Sequence, residues 1–163
     1  MDKPKKFTKE IVETYWALCK GFIEKDGVVE PMAFMLSGDG KPGIVMALGM
    51  SDNSHWRPAI EAGIKESNAS GMLMVAESWT LPSEDCEEYA KNRAKYKNLI
   101  ANHPRAIECV MFTFENRDGS YEMGTARILR EKGKKPTLLP IRWSGMNEGK
   151  GATRSGRFTH FFG

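Results

Sequence analysis

The run MLMVAESWTLPSED, residues 72–85, sets an acid, a hydroxyl and an indole directly behind five residues that read as a buried strand. Side chains at the C-terminal edge of such a strand commonly line a ligand crevice. There Glu77 could act as a base or hold a cationic or hydroxylated ligand, and Trp79 could stack on a planar group. A second set follows in ANHPRAIECVMF. His103 carries the one side chain that titrates near neutrality and could shuttle a proton, while Arg105 could bind an anion. If the intervening segment returns the chain to the same edge, Glu77, Trp79, His103 and Arg105 form one pocket. The same residues also fit structural roles, which are the plainer reading. Glu77 would then pair with an arginine, Trp79 would sit at the core boundary, His103 would cap a helix C-terminus, and Arg105 would be solvated.

Other motifs point away from known chemistries. His55, His103 and His160 lie far apart, and no HxxxH or HExxH spacing occurs, so no metal site is expected. SGDGKPG and SGMNEGKG lack the GxxxxGK[ST] pattern, and the first joins two strands, so neither cradles a phosphate at a helix start. No GxSxG elbow, kinase signature or deaminase motif is present. No cofactor is implied. The end of the chain, KGATRSGRFTHFF, interleaves Lys150, Arg154 and Arg157 with Phe158, Phe161 and Phe162. Such a mixture can capture a partner or stack on single-stranded nucleic acid. The phenylalanines can equally dock on their own core or on a second subunit, which an exposed trio would favour.

The elements that must position these residues follow from periodicity. Residues 8–27 place Ile11, Tyr15, Leu18, Cys19, Phe22 and Ile23 on one helical stripe, with Thr8 as N-cap and Asp26-Gly27 as the stop. Strands are expected at Val28–Leu36, with Pro31 at its start or edge, and at Ile44–Leu48. A helix from Trp56 to about Asn68 follows, with Asp52, Asn53 or Ser54 as its cap. Gly71 opens the central strand, whose unbroken apolar run predicts cover on both faces. Residues 82–104 read as a surface helix with acids first and bases later, matching the helix dipole. Strands 107–115, 121–130 and 137–143 complete an α-β-β-α-β-α-β-β-β order. The expected fold is α+β, one domain over 1–163, with three helices on a mainly antiparallel sheet of five to six strands. Residues 1–7 form a basic N-terminal extension, and 144–157 a Gly-rich basic linker to the aromatic end.

Composition sets outer limits. At 163 residues, 40% hydrophobic and 28% charged, the chain fits one soluble domain with a core of its own. No apolar run reaches the roughly 20 residues of a membrane span, and no signal-peptide core follows the basic start, so a cytoplasmic location is expected. Cys19, Cys86 and Cys109 form no CxxC pair and read as free thiols, Cys19 and Cys109 buried. The net charge of +3 is uneven: Arg117 to Arg157 holds ten Lys/Arg against four Asp/Glu, a local +6 that leaves −3 elsewhere. That quarter could meet phosphate or an acidic partner, or simply form a solvated face.

The pieces VAESW, HPRAIECVMFTFE and GRFTHFF resemble a group of small uncharacterised bacterial and phage proteins that carry an SEAW-like strand end and an HPxR motif. Here the first motif reads AESW, and a helix-sized segment separates it from the second. The resemblance implies a shared fold and brings no activity with it. The absence of a catalytic signature favours a small binding protein, an accessory or inhibitor encoded by a phage or mobile element, which engages a protein partner or associates with itself. The alternatives are a metal-independent enzyme or ligand sensor built on Glu77 and His103, and nucleic-acid binding through the basic quarter.

Overall fold

The computed structural model describes residues 6–38, 43–49, 54–144 and 161–162. The first helix, α1 (Lys9–Asp26), has the expected caps: the Thr8 hydroxyl oxygen accepts the Ile11 N–H at 3.2 Å, and Gly27 stops it at φ 75°. Only glycine adopts that left-handed conformation at no steric cost. Val12, Cys19 and Ile23 carry the buried stripe, while Leu18 is 45% exposed. Positions 12, 19 and 23 repeat at seven and four, so they stack along one line that Leu18 misses.

Strands β1 (Met32–Ser37) and β2 (Ile44–Ala47) form an antiparallel pair. Pro31 lies just ahead of β1, where its lack of an N–H costs no ladder bond, and its carbonyl accepts from the Leu48 N–H at 2.9 Å. Helix α2 (Trp56–Ser67) packs on this pair through Gly63, where a Cβ would come within 2.8 Å of Met35 and 2.9 Å of Met46. It starts at His55 with no side-chain cap; of the expected caps, Asp52 and Asn53 lie outside the described residues.

β3 (Ala69–Thr80) is the long strand of the sheet, and residues 71–76 are all buried. Its alternation divides them cleanly. Leu73 and Val75 join the α1 core with Phe34, Val110 and Phe112, and Met72, Met74 and Ala76 join the α2 core with Met35, Ile60 and Ile64. Helix α3 (Ser83–Lys91) is shorter than the expected 82–104. The chain continues as two 3-10 turns, Arg93–Tyr96 and Ile100–Asn102, with Lys97 and Asn98 in left-handed backbone between them. α3 buries no residue of its own, so nothing in the core holds the helical period beyond Lys91.

β4 (Ile107–Asn116) and β5 (Tyr121–Leu129) follow as a hairpin. The expected strand at 137–143 is two short pieces, β6 (Thr137–Leu138) and β7 (Arg142–Trp143), both paired with β5. The sheet order is β2-β1-β3-β4-β5-β6, with β7 continuing the outer edge, and every pairing is antiparallel. The domain is α+β, with three α-helices on a curled sheet among the described residues.

Of the expected 1–7 extension, residues 1–5 lie outside the described residues, and Phe7 is held to the sheet. Phe7 is 1% exposed, and Asn116 accepts its N–H at 2.8 Å and donates to its carbonyl at 2.9 Å. Gly71 makes room, since a Cβ there would overlap the Asn116 side chain. Replacing Asn116 by alanine leaves both Phe7 backbone groups unpaired in the interior. We expect a loss of about 2–3 kcal/mol, seen as a fall of about 5–10 °C in thermal midpoint. An unchanged midpoint would show that water replaces the amide without cost.

Candidate functional site

Glu77, Ser78 and Trp79 do not lie beyond a strand end. They are inside β3, opposite Val110, Cys109 and Glu108 of β4. The strand runs to Thr80 because β4 continues to pair with it after β1 has stopped at Val75. Glu77 therefore points to the α1 side, as Val75 does, and its Oε1 accepts the Val29 N–H at 3.0 Å. That bond pins the connection between α1 and β1. Arg130 secures the same connection: it donates to the Gly27 carbonyl at 2.7 Å and forks onto Glu108 at 2.9 Å. The Glu108 bonds chiefly, with the Glu77 charge adding, raise the Arg130 pKa above its ordinary value. Trp79 is 44% exposed and lines a shallow cavity of about 440 Å³ with Glu77, Tyr89, Arg93 and Leu99.

His103 and Arg105 belong to another assembly. His103 is 7% exposed, its Nδ1 accepts the Arg105 N–H at 3.0 Å, and its Nε2 meets Glu88 Oε2 at 3.0 Å. With Nδ1 accepting, Nε2 is the donor to Glu88. Tyr96 donates to the other Glu88 oxygen at 2.8 Å, and its ring sits 4.8 Å from the imidazole. Arg105 reaches Glu84 at 2.9 Å and Asp85 at 3.2 Å. Three acids on α3 thus clasp the returning segment 96–105, and Arg105 is no free flank. His103 ends the second 3-10 turn through its backbone N–H, which donates to the Ile100 carbonyl at 2.9 Å, while its side chain bonds Glu88. Tyr96 first, then His103, lower the Glu88 pKa; Glu84 is lowered by its own backbone N–H and then by Arg105. Glu77 and Trp79 share one cavity, Arg105 lines a different one, and His103 lines neither.

Of the aromatic end, Arg154, Arg157 and Phe158 lie outside the described residues. Phe161 and Phe162 pack half-buried against the α2 core, with Arg57 over the first ring at 4.5 Å and Arg117 over the second at 5.3 Å. The Phe162 N–H donates to Glu115 Oε1 at 3.0 Å.

A cavity of about 680 Å³ opens between the start of α3 and the outer edge of the sheet. Its walls hold Arg105, Arg127 and Arg142 over an apolar floor that includes Ile107 and Cys109. Burial pushes the Cys109 thiol up to about 11, so it stays protonated and serves as floor. Arg127 stands opposite Cys109 in the β4–β5 register, and Thr125 stands opposite Arg142 in the β5–β7 register. From Ile128 to Thr125 is three steps along β5, yet from Leu138 to Arg142 is four along the outer edge. The extra residue is a bulge around Pro140, with the Leu139 N–H donating to the Arg127 carbonyl at 2.9 Å. Without it Arg142 would oppose Gly124 and point into the α1 core. With it, Arg142 joins Thr125 and Arg127 on the cleft face.

Sequence reasoning named Arg105 of this cleft as an anion binder but neither Arg127 nor Arg142. Alternation in YEMGTARIL already separates Gly124, Ala126 and Ile128 from Thr125 and Arg127. The proline in LLPIRW is the signal for the bulge that brings in Arg142. Among the described residues, no three His, Cys, Asp or Glu side chains stand close enough to hold a metal ion, and no helix is long and apolar enough to cross a membrane.

The α3 clasp should be pH-dependent in one direction. A carboxyl whose pKa is lower folded than unfolded stabilises fully above about pH 4.3, and less as pH falls through its folded value. Glu88→Gln should therefore lower the thermal midpoint at pH 7, with the gap to the natural chain closing by pH 3. An equal gap at both pH values would remove the carboxylate from the account.

Comparison with family models, with curated proteins and with solved structures brings no match, so the reading of function rests on this chain's own residues.

Proposed function

We propose that the chain is a non-catalytic binding module that holds an organic anion in the cleft between α3 and the bulged edge of the sheet. The observation that carries this is the pair Arg127 and Arg142, which face the same cleft and have no carboxylate partner among the described residues. Their diagonal placement across β5 and β7 sets the Cβ atoms about 7 Å apart. At that spacing two guanidinium groups can close on one oxyanion with paired, charge-assisted hydrogen bonds. Arg105, on the opposite wall, is already matched by Glu84 and Asp85, so the attraction is concentrated at the β5–β7 wall.

The absence of a catalytic role is supported by how the titratable groups are spent. Glu77 holds backbone at Val29, both ring nitrogens of His103 are engaged, and the Cys109 thiol is protonated at neutral pH. Apolar side chains at Leu81, Ile107 and Leu139 line part of the cleft, beside polar Thr80, Ser83 and Glu84, and suit a ligand with a partly hydrophobic body.

Titration with phenyl sulfate, an anion on a small apolar body, tests the reading by backbone amide shifts. Saturable shifts are expected at Thr125, Arg127 and Arg142, with at least a tenfold weaker affinity in Arg127→Glu and Arg142→Glu. Both arginines are exposed, so both variants should melt within about 2 °C of the natural chain. Shifts that do not saturate, or that centre on Trp79 instead, would sink the proposal.

A further inference from the structure

Resting on that reading, we infer that the ligand is a phosphate monoester, an organic body ending in a dianionic phosphate. Charge comes first. Arg127 and Arg142 contribute two positive charges that pair with no carboxylate among the described residues, while Glu84, which also lines the cleft, is bonded to Arg105 on the opposite wall. A dianion therefore matches the β5–β7 wall more fully than a single negative charge. A phosphomonoester carries about −1.5 to −2 at neutral pH and three acceptor oxygens, enough for two planar forks at once. A phosphodiester has one charge and two such oxygens, a poorer match.

Size and lining come second. The cleft, at about 680 Å³, far exceeds what a lone phosphate ion fills, and its remaining walls are Leu81, Ile107 and Leu139 with the hydroxyls of Thr80 and Ser83. These suit a partly apolar body with polar substituents.

The phosphate could come on a free small molecule or on a phosphorylated side chain of another protein, and the same experiment separates them. Phenyl phosphate and phenyl sulfate have the same ring and nearly the same tetrahedral head, but differ by one charge. By isothermal titration at pH 7.5, phenyl phosphate should bind at least tenfold tighter, and the advantage should vanish as pH falls below about 6, where the ester takes up a proton. The preference and its pH dependence should be lost in Arg127→Glu and Arg142→Glu.

Equal binding of the two esters would overturn the dianion inference and leave the anion-binding module standing. Failure of both would overturn the module as well. A single-stranded oligothymidylate competing as well as phenyl phosphate would also overturn the inference, since it offers diesters. A phosphotyrosine hexapeptide that matches phenyl phosphate supports it with a phosphorylated chain as the source; a hexapeptide that is excluded supports it with a free small molecule.

Discussion

Ten consecutive residue pairs, from Gly71–Asn116 to Thr80–Ile107, fix β3 against β4, and the rest of the molecule is arranged around that register. Because successive side chains alternate, it decides at once which residues face α1 and which face α2. A slip of one position would exchange Leu73 and Val75 with Met72 and Met74, putting the compact branched set where the flexible methionines now pack. It would also turn Glu77 away from Val29, breaking the bond that holds the connection after α1. The long ladder thus does more than add hydrogen bonds: it makes the two cores mutually exclusive, and so makes one register the answer.

The outer edge depends on a smaller departure from the same rule. β6 and β7 would be one strand but for the extra residue near Pro140, and that residue reverses the facing of everything after it. Ile141 and Trp143 then pack over Gly124, where a Cβ would come within 2.6 Å of the first and 2.9 Å of the second. Trp143 in turn lies edge-on to Phe114 and beneath Lys9. The bulge is anchored on its core side by these rings and presents Arg142 on the other. A bulge bends an edge strand and breaks its regularity, which also protects it from pairing with another chain.

How much of this is legible in the sequence depends on the range of the interaction. Thr8 and Gly27 are readable because a cap acts on its neighbours within four residues. The alternation of β4 and β5, and the double cover of β3, are readable because burial repeats along a strand. The fate of Glu77 is not, since its partner Val29 is a backbone N–H remote in the chain and no side-chain type announces it. Nor is the length of α3. Its charges run in helical order to Lys97, but Glu88, Tyr96 and His103 prefer one another to a continued helix, and that preference exists only after the chain has turned back. The arginine cleft combines both cases, since Arg127 follows from alternation while Arg142 follows from a one-residue offset that needs the partner strand to be seen.

Five arginines of the described region divide by what they hold. Arg130 bonds to Glu108 and the Gly27 carbonyl, Arg117 donates twice to the Ala69 carbonyl, and Arg105 joins Glu84 and Asp85. Each ties together segments distant in sequence, where the planar, multi-donor group gains most from fixed geometry. Among the described residues the Arg127 and Arg142 side chains tie nothing. An exposed ion pair is worth about 0–1 kcal/mol, so leaving these two unmatched costs the fold little. What it preserves is donor capacity, ten N–H groups in two forks on a rigid sheet, at a spacing that the bulge sets. Had a carboxylate stood beside them, as Glu84 and Asp85 stand beside Arg105, any ligand would first have to displace it. The α3 acids thus do two things: they fasten the return segment, and by taking up Arg105 they leave the opposite wall as the place where an anion finds unspent charge.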